Sequence, residues 1–321
     1  MKLVIAAVVI CGALACEYSS FDDFASKYGK SYTDDEVDVR RTNWEMAKAE
    51  IAAHNARVSS WTAGLNEFSD MSWEEFQQRQ LMAPQDCSAT HTSTGWVPPK
   101  GASIPSSIDW RAKGAVNAIK SQGQCGSCWT FSTSGCLESH HYLKTGKMVN
   151  ISEQQLVDCA GRFNNHGCNG GLPSQAFEYI RYNGGIDSES AYAYTAKTGT
   201  KCLYDGKPVA TVSDVHNITT NDEDELTQAV GTTGPVSIAY QVASDFRLYK
   251  NGTYDGNCST SPADVNHAVV AVGYGHDASA SLDYFIVRNS WGTSWGMAGY
   301  FQIHRGVNKC GLADCASFPV V

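Results

Sequence analysis

The stretch 121–132 most constrains what this chain can fold into, because a glycine-rich loop there runs directly into an apolar segment of helical character. Cys128 lies where that helix begins. Free backbone N–H groups and the positive end of the helix dipole stabilise a thiolate at such a position, so the stretch predicts a nucleophilic cysteine. The alternative is that Cys125 and Cys128 bind a metal or form a redox pair. No second Cys-x-x-Cys and no histidine pair at zinc spacing supports it.

Length, charge and cysteine content narrow the class of protein. A chain of 321 residues predicts one main domain with a sizeable extra segment. A net charge of -9 argues against nucleic acid or an anionic membrane as a partner. Twelve cysteines without zinc motifs favour an oxidising, secretory route, and we expect neither a metal nor another cofactor.

The N-terminus agrees with a secretory route. Lys2 precedes an apolar run at residues 3–11, and small residues follow at Ala13 and Ala15. This pattern predicts a signal peptide over residues 1–15, although a bacterial lipoprotein signal ending at Cys16 is an alternative. The run is too short to span a bilayer, so we expect no membrane insertion.

The next segment, residues 16–103, divides into a helical part and a linker. The run 34–58 contains no glycine or proline. Its apolar residues recur at helical spacing, at Val37, Trp44, Ala47 and Ile51. From residue 82 onward, proline, glycine, serine and threonine predict an exposed linker suited to proteolysis. Cys87 has little reason to occur in a disposable linker unless it tethers that linker to something retained.

From residue 104 onward the helical patterns come first and the strand patterns second. A helix is predicted from Cys128 to about Leu143, another after Ser152 as N-cap, and a third over residues 175–180. Strands are predicted within residues 236–239, 268–272 and 284–287. This order is typical of an α+β protein with two unlike halves, and the cleft between the halves is the expected ligand site.

A cysteine nucleophile requires a base and an orienting group. His267 lies at the start of an apolar strand in the second half, although most lone histidines are ordinary surface or packed residues. Asn289 can orient its imidazole, and Trp291 can cover the pair. Gln122, together with the backbone N–H of Cys128, can donate to a tetrahedral oxyanion, unless it is only a solvated loop residue.

In this order and at these spacings, Gln122, Cys128, His267 and Asn289 resemble the papain family of cysteine peptidases. The segment 64–70 resembles the second propeptide motif of that family. The first motif is matched at Glu36, Arg40, Trp44, Ile51 and Asn55, with Ala47 in place of the usual asparagine. The resemblance implies a papain-like α+β fold of two domains, with a helical half and a β-barrel-like half. It also implies a catalytic domain over residues 104–321 and a helical inhibitory propeptide within residues 16–103, whose segment after Asp70 would run through the cleft in the non-productive direction. Charge interactions of its carboxylates, including Asp70, are expected to hold it on the catalytic domain until acid protonates them.

The resemblance also implies a set of substrate-binding residues around the cleft. The rim would use backbone of Gly170 and Gly171, and Leu172 and Pro173 would border the second subsite. The same pocket would be lined by Ala239, Val265 and Ala268. The alternative for the glycines is a simple turn closed by a disulfide.

The number of cysteines agrees with this assignment. If Cys11, inside the predicted signal peptide, and Cys16, directly after it, are set aside, ten cysteines remain. Without the nucleophile Cys128 there are nine, so one of these must be unpaired. Cys136 suits that role, since a buried thiol packs well in a helix. The family framework implies the pairs Cys125–Cys168, Cys159–Cys202 and Cys258–Cys310. Cys87 and Cys315 remain as a fourth pair.

Residues 83–90 resemble the mini-chain of the cathepsin H branch, a propeptide remnant held to the mature enzyme by a disulfide. Ala83 and Asp86 depart from that branch, which puts the upstream cleavage and mini-chain glycosylation in doubt. The resemblance implies an aminopeptidase whose substrate amine meets a new carboxylate at Thr90. The alternatives are an endopeptidase of the same family and, more remotely, an inactive papain-fold storage or binding protein.

The implied setting is a lysosomal or extracellular enzyme reached by the secretory pathway. The expected partners are peptide and protein substrates, the chain's own propeptide and mini-chain, and cystatin-type inhibitors, with the protein itself a monomer. Asn217 is the predicted glycosylation site. Further sequons occur at Asn150, Asn251 and Asn257.

Overall fold

The computed structural model describes residues 20–87, 96–99 and 101–321. The predicted signal peptide, residues 1–15, and the predicted end of the mini-chain at Thr90 lie outside the described residues. In the part of the chain that is described, no helix combines the length and the apolar character needed to cross a membrane.

The described part of the propeptide forms three helices and one strand. These are α1 (Phe21–Lys27), α2 (Asp34–Asn55), β1 (Trp61–Ala63) and α3 (Trp73–Gln80). Each helix begins at a hydroxyl residue, and the side chains of Ser20 and Ser72 accept hydrogen bonds from the first turns of α1 and α3. A capping box begins α2, because Glu36 reaches back to the Thr33 backbone. The small propeptide core consists of Phe21, Phe24 and Trp44.

The helical half of the catalytic domain agrees with the sequence-based expectation. It consists of α4 (Cys128–Thr145), α5 (Glu153–Cys159) and α6 (Pro173–Asn183). Helix α4 begins at Cys128, and Gly146 ends it in the left-handed conformation that favours glycine. The Ser152 side chain accepts from the Gln155 N–H at 3.0 Å, so Ser152 is the N-cap of α5 as predicted.

The second half is built around an open sheet that accepts the propeptide strand at one edge. Its further elements are β2 (Ile108–Asp109), β3 (Asp214–Asn217), α7 (Glu223–Thr232), β4 (Val236–Tyr240), β5 (Tyr249–Tyr254), β6 (His267–Asp277), β7 (Leu282–Arg288), β8 (Tyr300–His304) and β9 (Ser317–Val320). The strand order is β1-β5-β8-β7-β6-β4-β9-β3, and β2 pairs with β6. The half expected to be barrel-like is therefore a sheet that does not close among the described residues.

Helix α4 joins the two halves because it packs against β6. Its first thirteen residues, 128–140, are all buried. Small side chains permit close approach to the sheet: the Ser132 hydroxyl donates to the Val269 carbonyl at 2.6 Å, and the Ser237 hydroxyl donates to the Ser132 carbonyl at 3.1 Å. This packing brings Cys128, the first residue of α4, beside His267, the first residue of β6.

The expectation of an exposed linker from residue 82 holds only in part for residues 82–87, because Ala83, Pro84 and Asp86 are exposed whereas Met82 and Cys87 are buried. Met82 is 3% exposed and Cys87 is 2% exposed. These residues lie against the catalytic domain, because backbone hydrogen bonds and a disulfide hold them there. Farther along, the Trp96 ring packs edge-to-face on Phe318 with centroids 6.0 Å apart.

The four implied disulfides are confirmed. They join Cys87 to Cys315, Cys125 to Cys168, Cys159 to Cys202, and Cys258 to Cys310. Among the described cysteines, Cys128 and Cys136 are free and buried. The first of these bridges ties the segment after α3 to a residue 228 positions later.

The predicted glycosylation site is poorly exposed in this fold. Asn217 lies in β3, pairs in register with Ser317 of β9, and is 7% exposed. The three other sequon asparagines, Asn150, Asn251 and Asn257, are exposed. Modification of Asn217 stays a prediction, and its burial requires that a glycan be attached before β3 pairs with β9.

Gly135 in α4 is required by the packing of α4 against Arg288. A Cβ at this position would overlap the Arg288 guanidinium, which is buried and donates to the Ala118 carbonyl at 2.6 Å. We predict that Gly135→Ala lowers the free energy of unfolding by about 1–3 kcal/mol. The measurement is the melting temperature, with Gly161→Ala as the control because no atom lies within 4 Å of a Cβ there. Equal melting temperatures for the two variants would contradict this reading.

Candidate active site

Cys128 is the first residue of α4 and is fully buried. Its Sγ accepts a hydrogen bond from the Ala268 N–H at 3.4 Å. Burial raises the pKa of the thiol to about 12, whereas neighbouring backbone N–H groups lower it. With the propeptide in place, the thiol is therefore protonated, and the thiolate expected at this helix N-terminus is suppressed by desolvation.

His267 begins β6 on the opposite side of the cleft and is also fully buried. Its Nε2 lies 2.8 Å from Asn289 Oδ1, and the Trp291 ring stacks on the imidazole with centroids 4.6 Å apart. The Asn289 oxygen also accepts the Ser290 N–H at 2.8 Å, so it is an acceptor and His267 Nε2 is the donor.

This tautomer leaves the lone pair of His267 Nδ1 available. That atom is buried and has no hydrogen-bond partner among the described residues. Burial lowers the pKa of His267 to about 4, although the hydrogen bond with Asn289 raises it. The zymogen therefore holds a neutral thiol and a neutral imidazole with a free acceptor nitrogen.

The Gln122 side-chain amide is fully buried beside these residues. Its Oε1 accepts from the Ser290 hydroxyl at 2.7 Å, and the other amide atom is identified as the donor nitrogen because both of its partners are carbonyl oxygens. That Nε2 donates at 2.9 Å to the Cys125 carbonyl and at 2.9 Å to the Gln80 carbonyl. Gln80 ends propeptide helix α3, so the propeptide occupies the donor predicted to face an oxyanion.

The residues after Gln80 continue along the cleft by backbone pairing. The N–H of Met82 donates to the Asn266 carbonyl at 3.0 Å, and that of Ala83 to the Asn169 carbonyl at 3.2 Å. The Gln85 N–H donates to the Val265 carbonyl at 2.9 Å. After α3 the propeptide therefore continues along the cleft as a segment held by backbone hydrogen bonds.

The predicted rim residues lie under this extended segment. A Cβ on Gly170 would come within 2.7 Å of Gln85 Nε2 and 2.9 Å of Met82 Cβ, so glycine permits the close approach. Gly171 follows it, Leu172 is buried, and Pro173 is the first residue of α6. Ala239 and Ala268 are directly opposite each other in β4 and β6, and both are buried, as is Val265.

The main docking residue of the catalytic domain was missed by sequence reasoning. Arg247 is 5% exposed, its Nη2 pairs with Glu50 Oε2 at 3.1 Å, and its Nη1 donates to the Met71 carbonyl. Its own carbonyl accepts from Asn66 Nδ2 at 2.8 Å. These partners lie more than 170 positions away, and no local sequence pattern indicates such contacts.

Asp70 was expected to hold the propeptide on the catalytic domain, and this expectation is wrong. Its carboxylate pairs within the propeptide, with Lys30 Nζ at 2.6 Å and the Tyr32 hydroxyl at 2.8 Å. Asp70 therefore stabilises the propeptide itself.

Glu67, like Glu50, is a propeptide carboxylate that contacts the catalytic domain, since it accepts from the Ser294 hydroxyl at 2.8 Å. Burial raises the pKa of Glu67, so the docked state binds the proton more tightly than the released state does. Protonation of Glu67 at acid pH therefore favours the docked state of the propeptide.

The described residues contain no group of three or more histidine, cysteine, aspartate or glutamate side chains placed to hold a metal ion.

All four polar residues predicted for the chemistry are brought together. Cys128 contacts the residue after His267, and Gln122 contacts the residue after Asn289. Ser290 was missed, although its position next to Asn289 could have indicated it.

The fold and this site define a cysteine peptidase in zymogen form. A papain family cysteine protease model matches residues 104–320, and a cathepsin propeptide inhibitor domain model matches residues 21–76. The chain belongs to the papain family.

Its relatives include both animal and plant peptidases. Pro-cathepsin H of Bos taurus is 48% identical, over 100% of this chain and 98% of that protein. Thiol protease aleurain of Arabidopsis thaliana is 50% identical, over 94% of this chain and 84% of aleurain. Among solved structures, digestive procathepsin L 3 of the Tenebrio molitor larval midgut matches with a TM-score of 0.85 at 38% identity, covering 94% of this chain and 97% of that one.

The burial of Cys128 predicts a reactivity difference between zymogen and mature enzyme. In the intact zymogen at pH 7 we expect very slow alkylation by iodoacetamide, because the thiol is protonated well below a pKa of about 12. Removal of the propeptide removes the burial that raises this pKa, so alkylation should accelerate. Cys136, whose pKa burial also raises to about 12, is the internal control and should stay unreactive in both forms. Mass spectrometry of the two peptides measures this, and rapid alkylation of Cys128 in the intact zymogen would contradict it.

The position of Asp70 predicts the behaviour of an amide variant. Asp70→Asn removes the charge that pairs with Lys30, so the propeptide should lose stability and the zymogen should be processed faster at neutral pH. The measurement is the rate of processing between pH 4 and pH 7. Asp38→Asn, at an exposed carboxylate on α2, is the control. Identical pH profiles for Asp70→Asn and the unmodified chain would refute the role given to Asp70.

Proposed function

We propose that the mature enzyme hydrolyses peptide bonds with Cys128 as nucleophile and His267 as base. His267 Nδ1, whose lone pair is available, takes the thiol proton, and the sulfur attacks the substrate carbonyl carbon. The resulting oxyanion accepts hydrogen bonds from Gln122 Nε2 and the Cys128 N–H. His267 then protonates the leaving amine, and water hydrolyses the thioester. Asn289 maintains the tautomer throughout.

The substrate would bind in the opposite direction to the propeptide. In the zymogen the chain runs from Gln80, beside Gln122, toward Gln85, beside Gly170 and Val265. If the proposed rim receives the substrate residues that precede the scissile bond, a substrate runs from the rim toward Cys128. A propeptide in the reverse direction occupies the same surface without presenting a correctly oriented carbonyl, so it is cut slowly.

The finer specificity we propose is that of an aminopeptidase. The Cys87–Cys315 disulfide carries this proposal, because it fixes a propeptide segment to the catalytic domain at the rim end of the cleft. After cleavage on both sides, residues 83–90 would stay attached and close the cleft where longer substrates extend. A free amine would then meet the carboxylate created at Thr90. Its charge-assisted hydrogen bonds contribute roughly 1.5–3 kcal/mol.

The cellular setting follows from the same proposal. Delivery through the secretory pathway to lysosomes suits an acid-activated zymogen with four disulfides. Extracellular release is compatible with the same chemistry. Cystatin-type inhibitors would bind the open cleft of the mature monomer.

An endopeptidase is the competing function, and the likeness to a digestive procathepsin L structure favours it. The two differ in whether residues 83–90 stay on the mature enzyme. Hydrolysis of a dipeptide amide with a free amine, compared with its N-blocked counterpart, separates them. The Cys128→Ser variant serves as the blank in both assays.

Loss of the mini-chain tether should change specificity. We predict that replacement of both Cys87 and Cys315 by serine lowers the preference for a free amine by about tenfold to a hundredfold and raises cleavage of N-blocked substrates. The quantity measured is the ratio of kcat/KM for the two substrates. The control replaces Cys159 and Cys202 by serine, which also removes one disulfide but leaves the cleft closed. An unchanged ratio in a tether variant shown to lack the mini-chain would favour the endopeptidase.

A further inference from the structure

We infer that Tyr194 is a positioning residue for oxyanion stabilisation, an inference that rests on the proposed function. Its hydroxyl lies 2.7 Å from the Gln122 carbonyl and 2.6 Å from Ser127 Oγ. Gln122 carries one proposed oxyanion donor, and Ser127 immediately precedes Cys128, which carries the other. One phenol therefore connects the two ends of the loop that holds both donors.

The direction of each hydrogen bond follows from the number of protons. A carbonyl accepts only, so the single Tyr194 proton is donated to Gln122. Ser127 must then donate its own proton to the Tyr194 oxygen. Its other acceptor, the Cys125 carbonyl, is more distant at 3.5 Å. The result is a directed chain from Ser127 through Tyr194 to Gln122.

The phenol is held from outside the loop that it braces. The Tyr194 ring packs edge-to-face on Phe131 of α4 with centroids 5.0 Å apart. The Tyr194 N–H donates to the Glu189 carboxylate at 2.8 Å. Since ring and backbone are both anchored, the hydroxyl is a fixed point for the loop.

The loop needs such a fixed point because it is rich in glycine. Gly123 has φ +61°, and Gly126 lies against the Cys168 carbonyl, so these two positions have no side chain to hold them, and the Cys125–Cys168 disulfide anchors only the middle of the loop. The Gln122 amide already has a lateral partner in Ser290. Tyr194 fixes the distance between Gln122 and the backbone N–H of Cys128. Small errors in that distance strongly weaken the stabilisation of the transition state.

The test compares Tyr194→Phe with Tyr192→Phe in the full-length chain after acid activation. Tyr192 is two positions away, and its hydroxyl donates to Asp158 at 2.6 Å, so the control also removes a partly buried phenol hydrogen bond. Active sites are first counted with a thiol-directed epoxide. We expect Tyr194→Phe to lower kcat for a dipeptide amide about tenfold, with KM within about twofold, and Tyr192→Phe to change neither appreciably.

Alkylation of Cys128 by iodoacetamide supplies the discriminating measurement. Alkylation requires the thiolate but forms no oxyanion, so Tyr194→Phe should leave its rate and its pH profile unchanged. Parallel losses of alkylation and hydrolysis would show a structural role and overturn the inference, as would equal kcat for the two phenylalanine variants. Failure of the unmodified activated chain to hydrolyse peptides would instead contradict the proposed function.

Discussion

The hydrogen bond from the Gln122 amide to the Gln80 carbonyl is the interaction on which the latent state depends. It places the end of α3 on the proposed oxyanion donor, and the next residues then cover Cys128 and His267. That cover removes water from both side chains, which raises the pKa of the thiol and lowers that of the imidazole. Steric occupation and chemical inactivation therefore have one cause, and both end when the propeptide leaves.

The propeptide is held by strand pairing and by charge, and these respond differently to acid. Strand β1 pairs with β5, and Arg247 binds Glu50 and the Met71 carbonyl. Backbone pairing does not titrate, and Glu67 favours docking at low pH. Other charges act within the propeptide, where Asp70 pairs with Lys30 and the carboxylate of Glu75 pairs with Arg40. These pairs hold together the fold that presents β1 to β5.

The catalytic domain was largely predictable because its signals are local. The loop before Cys128, the N-cap at Ser152 and the apolar run of β6 each depend on neighbouring residues. The bridges came from family resemblance and were confirmed. The path of the propeptide through the cleft was implied by the family resemblance. The burial of Met82 and Cys87 was not expected, because proline and glycine after residue 82 indicate an absence of regular structure and not an absence of contacts. Likewise, the residues next to Asp70 in the sequence do not indicate which cation pairs with its carboxylate, because Lys30 lies 40 positions away.

The segment 82–87 links latency to the proposed specificity, because its contacts divide into those that cleavage would remove and those that it would leave. Gln80 belongs to the part that departs. Ala83 and Gln85 pair with the Asn169 and Val265 carbonyls, and Cys87 is bonded covalently. A cut before Ala83 would therefore free the oxyanion donor while the remaining contacts keep the mini-chain at the rim. Since the disulfide maintains a high local concentration, these few hydrogen bonds are sufficient to hold a short peptide that would otherwise dissociate.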